Sequence, residues 1–245
     1  MKRLKIFIIC YFPTFISLII ILVLGSGCGS NSMEYCLESG ECDLAVDVVN
    51  VSSEIPIDPK DPFWRDSSHI QSRSIELGPQ MITNPRWPDP STKSVKISGV
   101  QNESELALLL EWNDPTLENK IEVSATHTDQ AALMFPIHQG EEVPSITMGS
   151  ENEIVNIWQW RAIWETPLQE KIRNIDRNLG TALPANTRRS PVEDLTAAGF
   201  STLTTQEEQD VLGRGTWEDK TWRVVFKRTL LSSDNADIQF KYPVV

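Results

Sequence analysis

The chain has 245 residues with 34 Asp and Glu against 22 Lys and Arg, a net charge of -12 at pH 7. Such acidity repels a phosphate backbone, so nucleic acid is excluded as a partner. Four cysteines occur, none in a Cys-x-x-Cys-His run, which excludes covalent c-type haem attachment; Cys10 lies inside the apolar leader, and the remaining Cys28, Cys36 and Cys42 are too few thiols for a four-cysteine iron-sulfur or zinc centre.

The N-terminus reads Met1-Lys2-Arg3-Leu4-Lys5 and then runs apolar from Ile6 to Gly25. Three positive charges before such a run hold the N-terminus in the cytoplasm and send the rest across, as an export signal or a membrane anchor does. A run of about 20 residues suits either. Leu24-Gly25-Ser26-Gly27-Cys28 resembles a bacterial lipoprotein signal in which Cys28 is lipidated, although Gly25 stands where a larger aliphatic residue is usual. The other readings of Cys28 are a plain thiol or a disulfide partner. Residues 1–28 are therefore expected to be a signal peptide or anchor, and the product a periplasmic protein or membrane-anchored lipoprotein.

From Gly29 to Ile55 the chain is small and polar, a tether with one weak strand between Leu44 and Val51. Cys36 and Cys42 enclose Leu-Glu-Ser-Gly-Glu, a spacing that suits a disulfide loop in an oxidising compartment. A domain covering 56–245 opens with Asp58-Pro59-Lys60-Asp61-Pro62-Phe63-Trp64, whose prolines fix an extended, turn-rich path that carries Trp64 to a core.

Strand patterns follow. Ser94 to Val100 alternates, turns at Gln101 to Glu103, and continues as the apolar run Leu106 to Trp112. Further strands are expected at Ile121 to Ala125, Ala131 to Phe135 and Ile154 to Trp160. A hairpin is expected from Thr216-Trp217 through Glu218 to Thr221 into Trp222 to Leu230, with Trp222, Val224 and Phe226 on one face and Arg223, Val225 and Lys227 on the other. Helical pattern is confined to Thr166 to Asn178 and to Thr205 to Leu212, the latter opened by a Thr205/Glu208 capping box. The fold class is mainly β, a β-sandwich with a few short helices in the insertions.

Catalytic patterns are absent. His69, His127 and His138 are scattered, and no phosphate loop, nucleophile elbow or His-Glu-x-x-His occurs. Glu111 and Asp114 bracket Trp112 and could pair as acid and base, but Asn113-Asp114-Pro115 is ordinary turn chemistry at a strand end. Binding or electron carrying fits better than hydrolysis. Met148-Gly149 is a lone turn just before the strand bearing Trp158 and Trp160, and a thioether beside aromatics suits a flat, soft ligand such as iron porphyrin. Its competing reading is a gap-filling core residue.

Motif order adds a resemblance. Asp58-Pro59 to Trp64, Glu111-Trp112-x-Asp114-Pro115, Thr128-Asp129 with Ala132-x-x-Phe135-Pro136, Met148-Gly149, Val155-Asn156-Ile157-Trp158-x-Trp160 and the Gly215-x-Trp217 to Arg228 hairpin occur in sequence. Together they resemble the haem b-binding γ subunit of the ethylbenzene dehydrogenase and dimethylsulfide dehydrogenase group, which includes selenate and chlorate reductases. The likeness runs from about Ile55 to Phe240. It implies an exported β-sandwich holding one non-covalent haem b, a cytochrome b-type electron-transfer subunit without catalysis of its own. Its implied partners are a molybdopterin catalytic subunit of the dimethylsulfoxide reductase type and an iron-sulfur subunit.

The resemblance also implies site residues. The family's axial methionine falls on Met148, with Trp158 and Trp160 beside the cofactor. The family's axial lysine lies beyond an Ala-Phe-Ala-x-Trp-Asp-Gly strand, whereas this sequence stops at Phe240-Lys241-Tyr242-Pro243-Val244-Val245. The domain is thus expected to be truncated at its C-terminus, as a fragment or a shortened gene, unless Lys241 or another side chain substitutes, a lysine in a Phe-Lys-Tyr edge segment being more often solvent-facing. In the family's hairpin an Asp-Gly turn stands where this chain has Asp219-Lys220, so here a non-glycine residue either takes φ > 0 or the turn changes type. The alternative function is a secreted carbohydrate-binding sandwich using Trp158 and Trp160 as a stacking platform, and a third is a structural lipoprotein without ligand.

Overall fold

The computed structural model describes residues 7–11 (backbone only), 46–68, 70–79, 86–121, 127–138, 144–145, 147–165 and 189–244. Two β-sheets face each other. The first runs β1(Phe7–Tyr11), β6(Gln130–Pro136), β7(Val155–Arg161), β8(Val192–Ala197) and β9(Thr204–Thr205) in spatial order, every pair antiparallel. The second runs β10(Leu212–Glu218), β11(Thr221–Thr229), β5(Glu105–Asn113) and β4(Ser94–Gln101). The free side of β4 is shared by β3(Ser72–Glu76), antiparallel, and β2(Val48–Asn50), the one parallel pairing among these strands.

The core follows from period-2 alternation on facing strands. Val95 and Ile97 of β4, Leu106, Leu108, Leu110 and Trp112 of β5, and Trp222, Val224 and Phe226 of β11 meet Ala131, Leu133 and Phe135 of β6 and Trp158 and Trp160 of β7. Its centre is aromatic: Trp160 meets Trp222 edge-on at 4.8 Å and Trp112 at 6.1 Å, and Phe135 packs on Trp158 at 4.6 Å. Such pairs add about 0.5–1.5 kcal/mol each beyond their buried area.

β5 and β6 read as nearly unbroken apolar runs because both faces of these strands are covered. On the outer face of the second sheet, Val100, Ala107, Leu109 and Val225 are covered by Ile55 and Trp64. The proline-rich segment does deliver Trp64 to a core, through a 3-10 turn at Pro62–Arg65 capped by Asp61, and the Trp64 indole N–H donates to Pro56 O at 3.1 Å. That core is the outer one, not the space between the sheets.

The hairpin follows the expected face assignment, and its turn takes the strained option: Asp219 and Lys220 have φ of 50° and 58°. The helix expected over Thr205 to Leu212 does not form. Thr204–Thr205 pairs with β8, the chain runs on without helix, and β10 begins at Leu212. The Gln206 amide donates to Leu195 O and Gln209 exchanges bonds with the Asp194 main chain, so tertiary partners outbid the capping box. Thr166 to Asn178 lies outside the described residues, as do Ile121 to Ala125 apart from Ile121, His69, Cys28, Cys36 and Cys42. Of the apolar leader only Phe7–Tyr11 is described, as the edge strand against β6.

Candidate functional site

Met148 stands in a tight turn that the main chain closes on itself. Gly149 N donates to Ser145 O at 2.8 Å, and Ser150 and Glu153 exchange main-chain bonds at 3.2 and 3.0 Å. The Glu153 carboxylate ties in Ser145 N at 3.2 Å and the Ser150 hydroxyl at 3.1 Å, while Gly199 N donates to Met148 O at 2.9 Å. These bonds hold Met148 at φ 67° and Gly149 at φ 77°. Glycine is required at 149, since a Cβ there would sit 2.1 Å from Glu153 O. It is not available at 148, where an L-residue in the left-handed region costs on the order of 1–2 kcal/mol.

The Met148 side chain packs with Ala132 and Met134 of β6, Val155 and Ile157 of β7, and Leu195 and Ala197 of β8. Register fixes which face this is: Met134 lies opposite Ile157, which lies opposite Leu195, and all three point away from the second sheet. Met148 thus sits on the outer face of the first sheet.

Trp158 and Trp160 do not. They alternate with Ile157 on the same strand, are fully buried, and belong to the core between the sheets. The Trp158 indole N–H donates to Asn156 Oδ1 at 3.0 Å and that of Trp160 to Glu165 Oε1 at 2.6 Å. The structure therefore separates the three residues that the sequence grouped, placing the thioether and the indoles on opposite faces of one sheet. Nor do the two tryptophans form an exposed stacking platform. Parity of the strand was the available signal, because a residue aligned with Ile157 cannot share a wall with Trp158.

Sequence reasoning missed Met134, a second thioether in the same cluster, concealed inside an unbroken apolar run. Lys241 is exposed beside Phe240, whose ring enters the core between the sheets rather than the Met148 cluster. His127 is half-buried and His138 exposed. The donor set around Met148, soft thioethers on a face of small and branched apolar residues, fits a non-covalent porphyrin, whose ring is apolar and whose iron accepts sulfur.

A carboxylate pair lies elsewhere. Asp114 and Asp129 meet at the sandwich end, where Asp129 Oδ2 accepts from Glu118 N and the Trp222 indole, both at 2.9 Å. Burial, reinforced by the Asp114 charge, pushes Asp129 up to about 7. Glu111, by contrast, pairs with Arg223 at 2.7 Å, so Glu111 and Asp114 are not an acid/base couple.

A family model described as ethylbenzene dehydrogenase matches residues 61–180. Over that stretch, just under half of its length, the chain is similar to the ethylbenzene dehydrogenase family. The matched stretch of this family contains β3 to β7, the Met148 turn and Trp158 and Trp160. Among curated proteins, the chain is 24% identical over 206 residues to a putative respiratory nitrate reductase heme subunit of Haloferax mediterranei, covering 77% of this chain and 65% of that one. It is 24% identical over 155 residues to the chlorate reductase subunit gamma of Ideonella dechloratans, covering 63% and 59%. The chain thus spans about three fifths of the length of these relatives. Among solved structures it is similar to a family 9 carbohydrate binding module from Caldicellulosiruptor kristjanssonii at 12% identity and a TM-score of 0.36, over 76% of this chain and 70% of that chain.

Proposed function

We propose that this chain is a non-catalytic electron-transfer subunit that holds one haem b, without covalent attachment, against the outer face of the first sheet, with Met148 as an axial ligand. The observation that carries the reading is the Met148 turn: a methionine kept at φ 67° and aimed onto an apolar sheet face. The names of the similar proteins, a heme subunit and a gamma subunit of oxyanion reductases, support it. When bound, the haem supplies a one-electron couple, raised in potential by the thioether. The chain's own contribution is to fix the sulfur through the Glu153 and Gly199 bonds and to keep water from it with Ala132, Ile157, Leu195 and Ala197.

In this reading the subunit serves an exported molybdenum oxidoreductase of the dimethylsulfoxide reductase type, carrying electrons between an iron-sulfur subunit and an external carrier. The basic leader and apolar run at residues 1–28 support export, with Cys28 as the lipidation site and Cys36 and Cys42 as a disulfide. The carbohydrate-binding alternative loses its basis, since Trp158 and Trp160 are both fully buried.

The test is periplasmic expression with haem supplied, followed by absorption spectroscopy. A Soret band with sharp reduced α and β bands is expected, and Met148→Ala should lower pigment content and the midpoint potential. An unchanged spectrum and midpoint in that variant rules out the sulfur as ligand. A colourless wild-type protein rules out the cofactor.

A further inference from the structure

We propose that Asp194, Asp210 and Asp237 bind one divalent cation of the calcium type, which clamps the C-terminal segment onto β8. The three carboxylates come from three stretches of chain: β8, the run before β10, and the segment after β11. One oxygen from each lies within 4.8 Å of the others. Calcium–oxygen bonds of about 2.3–2.6 Å put opposed ligands about 5 Å apart, so one ion can reach all three oxygens, and calcium accepts a flexible cage of protein oxygens where magnesium usually keeps several waters.

The cluster has unfilled donors at hand. Asp194 Oδ2, Asp210 Oδ1 and Asp237 Oδ1 are buried atoms without a hydrogen-bond partner. A buried neutral side chain borders them: Gln206, 5% exposed, donates from Nε2 to Asp194 Oδ1 at 3.3 Å, and its own Oε1 is without a partner. Buried polar atoms are almost always satisfied, so three neighbouring carboxylates that each keep an orphaned oxygen point to a missing electrophile.

Charge gives the same answer. Arg228 faces the cluster, 3.3 Å from Asp237 Oδ2, and is fixed by Ile238 O and by the Trp158 and Phe240 rings at 5.2 and 5.4 Å. Three ionised carboxylates against one guanidinium would leave two negative charges, with Asp194 1% and Asp237 2% exposed, and without a cation burial and then the Asp237 charge push Asp194 and Asp210 up toward their protonated forms. Buried charge must be matched, and one divalent cation matches it. Asp210, the least buried of the three, leaves a way in from solvent. The Asp114/Asp129 pair does not qualify as such a site, since it has two carboxylates and Asp129 Oδ2 already takes two donors.

The experiment uses the full chain, stripped with EDTA and titrated with CaCl2 by calorimetry, with thermal unfolding followed in parallel. One calcium per chain is expected, and the unfolding temperature should climb with the logarithm of calcium concentration above the dissociation constant. Asp210→Asn should weaken binding at least tenfold while the metal-free variant unfolds within a few degrees of the wild type. No saturable binding by folded wild-type protein overturns the proposal, and so does undiminished binding by Asp210→Asn. Stability that ignores calcium but rises on acidification means that protons close the charge balance, which overturns it as well.

Discussion

Met148 and Trp158 lie on opposite faces of one sheet, the sulfur among Ile157 and Leu195 and the indole among Phe135 and Phe240. Their substitutions should therefore separate cleanly. Trp158→Ala should destabilise by about 3–5 kcal/mol, because it opens a cavity in the aromatic core and removes the indole donor from Asn156 Oδ1, leaving it only Ile238 N at 3.5 Å. Met148→Ala removes a residue at the margin of its cluster and relieves no more than a turn, so it should cost about 1–2 kcal/mol while altering any pigment. Urea unfolding alongside absorption spectra checks both; equal stability losses would show that the two residues share one core.

Gly149 is the residue that makes the Met148 turn possible. An added Cβ would lie 2.1 Å from Glu153 O, a main-chain atom that moves only if the Ser150/Glu153 bridge breaks. Gly149→Ala should cost about 2–3 kcal/mol and displace the thioether, since φ 77° adds strain to the clash. Loss of haem retention without loss of the β-rich circular dichroism spectrum is the expected result.

Much of this architecture was legible because most strands carry their own evidence. The hairpin of β10 and β11 has alternation and a two-residue turn, β4 alternates, and β5 and β6 have apolar runs with punctuated ends. β8 escaped notice because Val-Glu-Asp-Leu-Thr-Ala looks solvent-facing, yet Glu193 and Asp194 are both buried against partners that only the fold supplies. The capping box at Thr205 misled for the same reason, since Gln206 and Gln209 find better partners at a distance. Met148 was legible as a special residue from its glycine neighbour alone. Its wall was not, because assigning a residue to one side of a sheet needs the path of the turn as well as the alternation of the strand.

The turn at Asp219 and Lys220 holds two non-glycine residues at φ of 50° and 58°. The Lys220 carbonyl accepts from Asp114 N at 2.8 Å, a bond that any residue provides. Lys220→Gly should therefore relieve the left-handed strain without removing a contact, raising stability by about 0.5–1 kcal/mol. A higher unfolding midpoint in urea with an unchanged slope is the expected outcome, and no gain would mean that the turn is relaxed as it stands.

Glu165 joins the two sheets: its Oε1 accepts from the Trp160 indole on β7 and from Gly215 N on the edge strand β10. Burial raises it from 4.5 to about 7, against the lowering pull of those two donors and of Arg214 at 3.8 Å. A folded-state value above the unfolded one means that the protonated form favours folding. Its stabilising contribution is full below 4.5 and is lost as pH rises through about 7. Asp129, raised from 3.8 to about 7 by burial and then by Asp114, acts in the same direction. Stability should thus fall between about pH 5 and 8, where ordinary ion-paired carboxylates would hold it level. Glu165→Gln keeps an oxygen for both donors and removes the ionisation, so its unfolding midpoint should fall less steeply over that interval and exceed the wild type's at the alkaline end. Parallel slopes for the two proteins would show that Glu165 is ionised throughout, held so by Trp160 and Gly215.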